Sequence, residues 1–457
     1  MTNTSPLRVA VVGSGPSGFY AAEHLRKQQP GVEIDLFDRL PTPYGLVRGG
    51  VAPDHPKIKA VTRVYDRIMA GPEVRFLGNV MIGQDLTREE LRRFYHAVIY
   101  CVGAHADRSL GIPGEDLPGS HAATDFVAWY NGHPDYTDLR FDLSAGRVAV
   151  VGVGNVAIDV VRILACTPEE LETTDIAPHA LEALRSSRVR EIWMLGRRGP
   201  VQAAFTNPEL RELGELADAD VIVRPDEIAL DPASAAALAA ADERTPERNM
   251  ETLRAYAAKP PEGKRRTVHL RFLCSPVEIS GAGRVERMII ARNRLVPEAN
   301  GSLRAEPTGE RETLDVGLVF RSVGYLGTGV PGLPLDARKG VIPNDHGRVL
   351  EDGAPVSGEY VAGWIKRGPS GVIGTNKPDA VETADLLLED FGAGKLATPP
   401  EPGRDAVDGF LRERGVRVFS WADWQRLDGL ERARGVTLGR PRVKFTRVAD
   451  MLAAVES

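Results

Sequence analysis

A short apolar run ending in a glycine-rich turn occurs twice in this chain, and that repetition constrains its fold more than any other feature. Residues 8–13, Arg-Val-Ala-Val-Val-Gly, open into Gly13-Ser14-Gly15-Pro16-Ser17-Gly18. Residues 147–152 repeat the same six letters and open into Gly152-Val153-Gly154-Asn155-Val156-Ala157, 139 positions later. An apolar run stopped by glycine reads as a buried parallel strand. In a G-x-G-x-x-G pattern the first glycine makes the tight turn and the second lets backbone approach a pyrophosphate. The third lets the helix pack close on the strand, and alanine is tolerated there. The helix N-terminus then offers N–H donors and a partial positive charge to phosphate. Pro16 suits that first turn, where its missing N–H costs nothing. Each turn predicts the opening of a βαβ dinucleotide-binding unit.

The strands that follow the two helices end differently. Residues 32–38 alternate and end in Asp38, 25 residues after Gly13, where a carboxylate accepts hydrogen bonds from a ribose diol. Residues 191–196 end instead in Gly196-Arg197-Arg198-Gly199. Two guanidiniums there suit a 2′-phosphate, which a carboxylate would repel. The second site therefore reads as NADP rather than NAD. Two fingerprints require two dinucleotides, and FAD with NADPH is the usual pair. The alternative is one working site beside a degenerate copy.

Between these signals the chain changes character. Residues 40–56 hold four prolines and three glycines, which predicts a long irregular loop rather than a helix or inner strand. Tyr44, Leu46 and Val47 argue that the loop is ordered against a ligand. Residues 97–103 read as a further buried strand, 209–258 as helices with loops, and 268–325 as β-rich. Residues 358–390 read as strand, glycine-rich turn and helix, and the proline-rich 397–405 marks a joint before a C-terminal segment.

Composition removes several function classes. With 57 Lys and Arg against 63 Asp and Glu, the net charge of −6 opposes a global nucleic-acid-binding field. No apolar stretch approaches the roughly 18 to 20 residues of a membrane span. Cys101, Cys166 and Cys274 form no C-x-x-C, so a redox pair, a zinc finger and an iron–sulfur cluster all lack ligands, and no metal site is expected. Few cysteines fit a reducing compartment, and the first residues carry no signal-peptide or transit pattern, so a cytoplasmic location is expected.

Longer motifs are more specific. Pro41-Thr42-Pro43-Tyr44-Gly45-Leu46-Val47-Arg48, Gly50-Val51-Ala52-Pro53-Asp54-His55-Pro56-Lys57, Gly196 to Pro200, Gly363-Trp364 through Gly374 and Gly439 to Lys444 accompany the first fingerprint. With these the chain resembles, nearly end to end, the NADPH–ferredoxin reductases of the adrenodoxin-reductase type, particularly their actinobacterial members. The resemblance implies an α/β architecture of two Rossmann-like dinucleotide-binding domains, with the NADP domain inserted into the FAD domain. The expected divisions are 1–105 and 326–457 for FAD and 106–325 for NADP.

By the same resemblance FAD is met by Gly13, Gly15, Ser17, Gly18, Asp38, Leu46, Ile82, Trp364 and the backbone of Gly371, Val372 and Ile373. Relatives often carry glutamate at the Asp38 position. NADP is met by Arg108, Gly152, Gly154, Asn155, Val156, Arg197, Arg198 and Glu209, with Gly371 near the nicotinamide. His55 and Glu212 match the polar residues that the family places beside flavin and nicotinamide. Their expected part is positioning and electrostatic tuning, since the cofactors carry the hydride chemistry.

The implied activity is hydride transfer from NADPH to FAD, then release of single electrons to an iron–sulfur ferredoxin serving a cytochrome P450 or another iron–sulfur-dependent enzyme. The chain is expected to be a monomer. Such ferredoxins are acidic, so docking needs a local basic surface; Arg185, Arg188 and Arg190, or Lys264, Arg265 and Arg266, are candidates. Three other readings stand beside this one. A flavin subunit of a larger complex would carry extra cysteine clusters. A flavin monooxygenase would need a substrate pocket, and a redox sensor would bind NADPH without turnover.

Overall fold

The computed structural model describes residues 6–456. The chain folds as two compact units: Met1–Ala106, His133–Asp135 and Tyr325–Ser457 form one, and Asp107–Gly132 with Tyr136–Gly324 form the other. In sequence, the second unit lies within the first.

The first unit is built on a seven-stranded sheet. Its order is Asn344–Asp345, Arg348–Glu351, Ala354–Val361, Ala97–Tyr100, Arg8–Val12, Glu33–Phe37 and Val74–Leu77. The last five are mutually parallel. Arg8–Val12 shows why such a strand reads as a continuous apolar run. Val9 and Val11 enter a core with Phe19, Leu25 and Tyr65, while Ala10 and Val12 enter a separate core with Phe37, Leu91 and Tyr100. Both faces are covered, so alternation disappears from the sequence. Each such valine contributes about 1.5–3 kcal/mol on burial.

The second unit repeats the plan with a six-stranded parallel sheet. The order is Ser120–Ala122, Leu318–Arg321, Arg147–Val151, Glu191–Leu195, Arg266–Arg271 and Ala219–Val223. Val148 and Val150 face one core, Ala149 and Val151 another. A separate antiparallel sheet joins Cys274–Ser280, Arg287–Pro297 and Leu303–Asp315. In each unit the glycine-turn strand lies between its βαβ partner and a strand from later in the chain. That is the switch point at which open α/β sheets leave a crevice for ligands.

Two local expectations are corrected. The proline-rich loop contains single helical turns at Leu46–Gly49 and Pro56–Lys59, the second started by Pro56 in its first turn. The 209–258 region contains a buried strand, Ala219–Val223, paired parallel with Arg266–Arg271. Five residues among helical neighbours carry too little period to reveal a strand; pairing with a distant partner makes it one.

Candidate functional site

The first glycine turn is shaped by contacts that only glycine permits. Gly13 has φ of +109°, and a Cβ there would lie 2.5 Å from the Cys101 carbonyl oxygen. Its N–H donates to the Phe37 carbonyl at 2.8 Å, tying the turn to the next strand. At Gly15, by contrast, a Cβ would meet no protein atom within 4 Å. Its smallness serves no contact within the protein and leaves room for a pyrophosphate at the start of helix Pro16–Gln28. Asp38 braces this turn: Oδ2 accepts from the Ser14 N–H at 3.1 Å and from the Ser14 hydroxyl, and Oδ1 accepts from the Leu40 N–H at 3.0 Å. The expected ribose-binding carboxylate is thus also a strut of the turn.

A second segment lies over the same turn. The Tyr44 N–H donates to the Ser14 carbonyl at 2.9 Å, and a Cβ on Gly45 would stand 3.0 Å from the Gly15 Cα. Leu46 follows directly, half-buried, and Ser17 and Ile82 are buried. His55 is half-buried and caps Pro56–Lys59, its N–H donating to the Ala52 carbonyl at 3.1 Å.

The third glycine-rich segment belongs to this unit too. The Gly363 N–H donates to the Asp379 carboxylate, and the Trp364 indole N–H to the Ser370 carbonyl at 3.2 Å. The Val372 N–H donates to the Thr375 hydroxyl at 3.0 Å, and Gly371 and Val372 are exposed ahead of helix Asn376–Gly392. Arg367 was not singled out by the sequence. Its Nη2 donates to Asn376 Oδ1 at 3.2 Å, but Nε and Nη1 are buried with no hydrogen-bond partner among the described residues. Two orphaned cationic donors suit an electron-rich group of a bound cofactor.

The second glycine turn repeats the first in detail. Gly152 has φ of +136° and a Cβ there would lie 2.1 Å from the Ser322 carbonyl oxygen, while at Gly154 it would again meet nothing within 4 Å. The helix Asn155–Ala165 begins there, and Asn155 Oδ1 accepts from the Thr206 N–H at 2.8 Å. No carboxylate ends the next strand. Arg197 is exposed, and its guanidinium has no hydrogen-bond partner or ion pair among the described residues. Arg198 makes one long bond, from Nη2 to the Gln202 carbonyl at 3.5 Å. Burial, then the neighbouring Arg197 charge, lowers the Arg198 pKa. Two adjacent cations without acidic partners among the described residues suit an anion, at the place after the strand where this kind of fold puts the adenosine ribose.

The remaining expected residues of this unit fall around it. Arg108 is exposed, its N–H donating to the Gly324 carbonyl at 3.0 Å, and Val156 is half-buried on the first turn of the helix. Glu209 and Glu212 lie on helix Asn207–Glu212. Glu209 Oε2 is buried without a hydrogen-bond partner among the described residues, an acceptor suited to ligand hydroxyls. Glu212 accepts from Arg162 Nη1 at 2.7 Å.

The three cysteines are buried free thiols. Burial first of all pushes Cys101 and Cys274 up to about 12, far from a reactive thiolate. Among the described residues no three metal-ligating side chains cluster, and no helix is long and apolar enough to cross a membrane. Of the basic residues expected to dock a partner, Arg188, Arg190 and Arg265 are exposed, and the other three are engaged within the protein. Arg185 is paired with Glu172 and Glu182, Arg266 is buried, and Lys264 donates to the Leu216 carbonyl at 2.8 Å.

The sequence profile described as Pyridine nucleotide-disulphide oxidoreductase matches residues 7–192. Over 457 aligned residues the chain is 48% identical to the NADPH-ferredoxin reductase FprA of Mycobacterium tuberculosis, with 98% of each protein covered. It is 44% identical to the human mitochondrial NADPH:adrenodoxin oxidoreductase, covering 97% of this chain and 91% of that protein. The solved structure of Mycobacterium tuberculosis FprA in complex with NADPH matches with a TM-score of 0.93 at 47% identity, over 99% of this chain and 100% of that one.

Proposed function

The chain belongs to the NADPH–ferredoxin reductases of the adrenodoxin-reductase type, FAD-dependent oxidoreductases that use NADPH, and from that premise we propose which residues serve each step. When bound, the two cofactors would supply the redox chemistry, hydride transfer from NADPH to FAD followed by release of the two electrons one at a time to two molecules of an iron–sulfur ferredoxin.

The chain's own residues bind and orient. In the first unit Gly13, Gly15 and Gly18 admit the FAD pyrophosphate, and Asp38 and Ser17 supply polar contacts. Leu46, Ile82, Trp364 and the backbone of Gly371, Val372 and Ile373 border the flavin. In the second unit Gly152, Gly154, Asn155 and Val156 receive the NADPH pyrophosphate. Arg197 and Arg198, with Arg108, neutralise phosphate charge, and Glu209 accepts from hydroxyls. His55 and Glu212 act by alignment and by charge, the Glu212 carboxylate being fixed by Arg162. The ferredoxin in turn supplies a cytochrome P450 or another iron–sulfur-dependent enzyme, and the reductase works as a cytoplasmic monomer.

One observation carries the assignment of the two cofactors. Otherwise matching glycine turns are followed by an acid in one unit and by two arginines without acidic partners in the other. Anaerobic stopped-flow absorbance tests the whole cycle. NADPH should bleach the flavin band near 450 nm, and oxidised ferredoxin should then be reduced catalytically. Bleaching without transfer to any of several ferredoxins would overturn the acceptor, and absence of bleaching would overturn the hydride step.

A further inference from the structure

The C-terminal segment has no part in the cycle above, yet it is wired to the turn that covers the first nucleotide site. Helix Trp421–Val436 begins with a capping box. The Asp423 N–H donates to Ser420 Oγ at 3.1 Å, and the Ser420 N–H to Asp423 Oδ2 at 2.9 Å. Trp424 and Leu427 anchor the helix in the same core as Val9, Val11 and Tyr44.

One turn after Leu427 stands Glu431, with 0% exposure. Its carboxylate accepts from Arg48 Nη1 at 2.8 Å and from Arg48 Nη2, from Arg442 Nη1 at 3.2 Å and from the Phe445 N–H at 2.9 Å. Burial works to raise its pKa, but Arg48, then Arg442, hold it below the ordinary carboxylate range. Lys444 Nζ adds a bond to the Arg48 carbonyl at 3.2 Å.

Arg48 belongs to the turn over Gly15. Its guanidinium lies 5.1 Å above the Trp424 ring. The Trp424 indole N–H donates to the Tyr44 hydroxyl at 3.2 Å, and that hydroxyl donates to Asp66. Tyr44 itself has φ of +85°. A bulky residue keeps that conformation only where its surroundings over-determine it. Here they do so from both sides, because its side chain is held by the C-terminal helix and its N–H by Ser14.

We propose that the C-terminal segment is a latch on the flavin site: the buried Glu431 carboxylate holds Arg48, and with it the Tyr44–Gly45 turn, over the Gly13–Gly15 turn, so that FAD leaves only when this pairing opens. The proposal rests on the reading that the first unit binds FAD. Glu431 is a positioning residue, and Trp424 is a second, independent tie to the same turn. Both act on cofactor residence rather than on hydride transfer. The second unit, which holds the arginine pair, shares none of these bonds.

The test is the rate of FAD release from the holoprotein, followed as the rise in free-flavin fluorescence after dilution. NADP+ affinity and circular dichroism are measured on the same samples. Glu431→Gln should release FAD at least tenfold faster, and Trp424→Phe at least threefold faster, with NADP+ affinity within twofold of the parent and the circular dichroism unchanged. Release within twofold of the parent in both folded variants would overturn the latch. Parallel loss of FAD, NADP+ affinity and circular dichroism in both would overturn it too, as general destabilisation. If Glu431→Gln alone does not fold, Trp424→Phe decides. Parent protein that binds no FAD would refute the functional reading as well as the latch, whereas flavin-bound parent with unaltered variants refutes only the latch.

Discussion

Gly13 and Gly152 hold the same place in their units. Each has positive φ, each faces a backbone carbonyl where a Cβ would be, and each donates its N–H to the strand beyond the helix. Two residues later Gly15 and Gly154 both face open space. The difference lies in what surrounds them. Around the first turn the carboxylate of Asp38 braces Ser14, and Tyr44 and Gly45 lie across the top. Around the second, Arg197 and Arg198 stand without acidic partners. In the proposed assignment the turn is generic to pyrophosphate, and its neighbours decide which dinucleotide stays and which is exchanged. A cofactor that must remain through many turnovers suits the covered, braced turn. A substrate that must come and go suits the charged one, whose attraction acts at a distance and is screened by salt.

The sharpest way to break this comparison is to fill each open space in turn. Gly15→Val should yield folded protein without flavin, read directly from its absorbance spectrum. Gly154→Val should yield flavin-bound protein that NADPH no longer bleaches. The same defect in both variants would mean that the two turns do not serve different nucleotides.

A smaller effect is expected from the arginines. Arg197→Ala with Arg198→Ala removes charge-assisted bonds of about 1.5–3 kcal/mol each, a tenfold or larger rise in KM for NADPH. KM for NADH should change little, and equal changes for both would exclude a 2′-phosphate site.

A pH dependence separates the second unit's framework from its site. Trp193 and His269 stack at 3.9 Å on adjacent parallel strands, and burial above all lowers His269 to about 4. The folded form thus binds this proton less readily than the unfolded chain, whose histidine titrates near 6.5. His269 therefore contributes stability above that value, and the contribution is lost as pH falls from about 6.5 to about 4. The slope approaches one proton, about 1.4 kcal/mol per pH unit. Denaturation midpoints across that window should flatten in His269→Gln.

The smallest effect is expected from the cysteines. Replacing Cys101, Cys166 and Cys274 together by alanine should leave NADPH oxidation in place, since all three are buried thiols outside any disulfide. Loss of flavin reduction in the folded triple variant would restore a thiol to the electron path.

Much of this was legible in the chain because its signals are local. A strand stopped by glycine, Pro16 opening a helix, an acid or an arginine pair at the next strand's end: each is set by backbone sterics or charge within about fifty residues. The helix Asn155–Ala165 and the central strands fall where periodicity places them. Charge by itself was a poorer guide. Lys264, Arg265 and Arg266 read as a basic run, but Arg266 opens a buried strand and faces inward. The strand Ala219–Val223 was hidden because only its pairing with Arg266–Arg271 defines it.

The sequence by itself determined the two nucleotide turns, the chemistry that follows each, and the family. Only tertiary structure decided that Tyr44 takes a left-handed conformation, that Arg48 meets Glu431 and that two Arg367 donors find no partner among the described residues. The physical reason is distance along the chain. Arg48 and Glu431 are 383 residues apart, and nothing in the composition of either segment names the other. Burying a carboxylate costs free energy unless cations and donors pair with it, and only the fold brings Arg48 and Arg442 to Glu431, so its partners are chosen by packing and not by pattern.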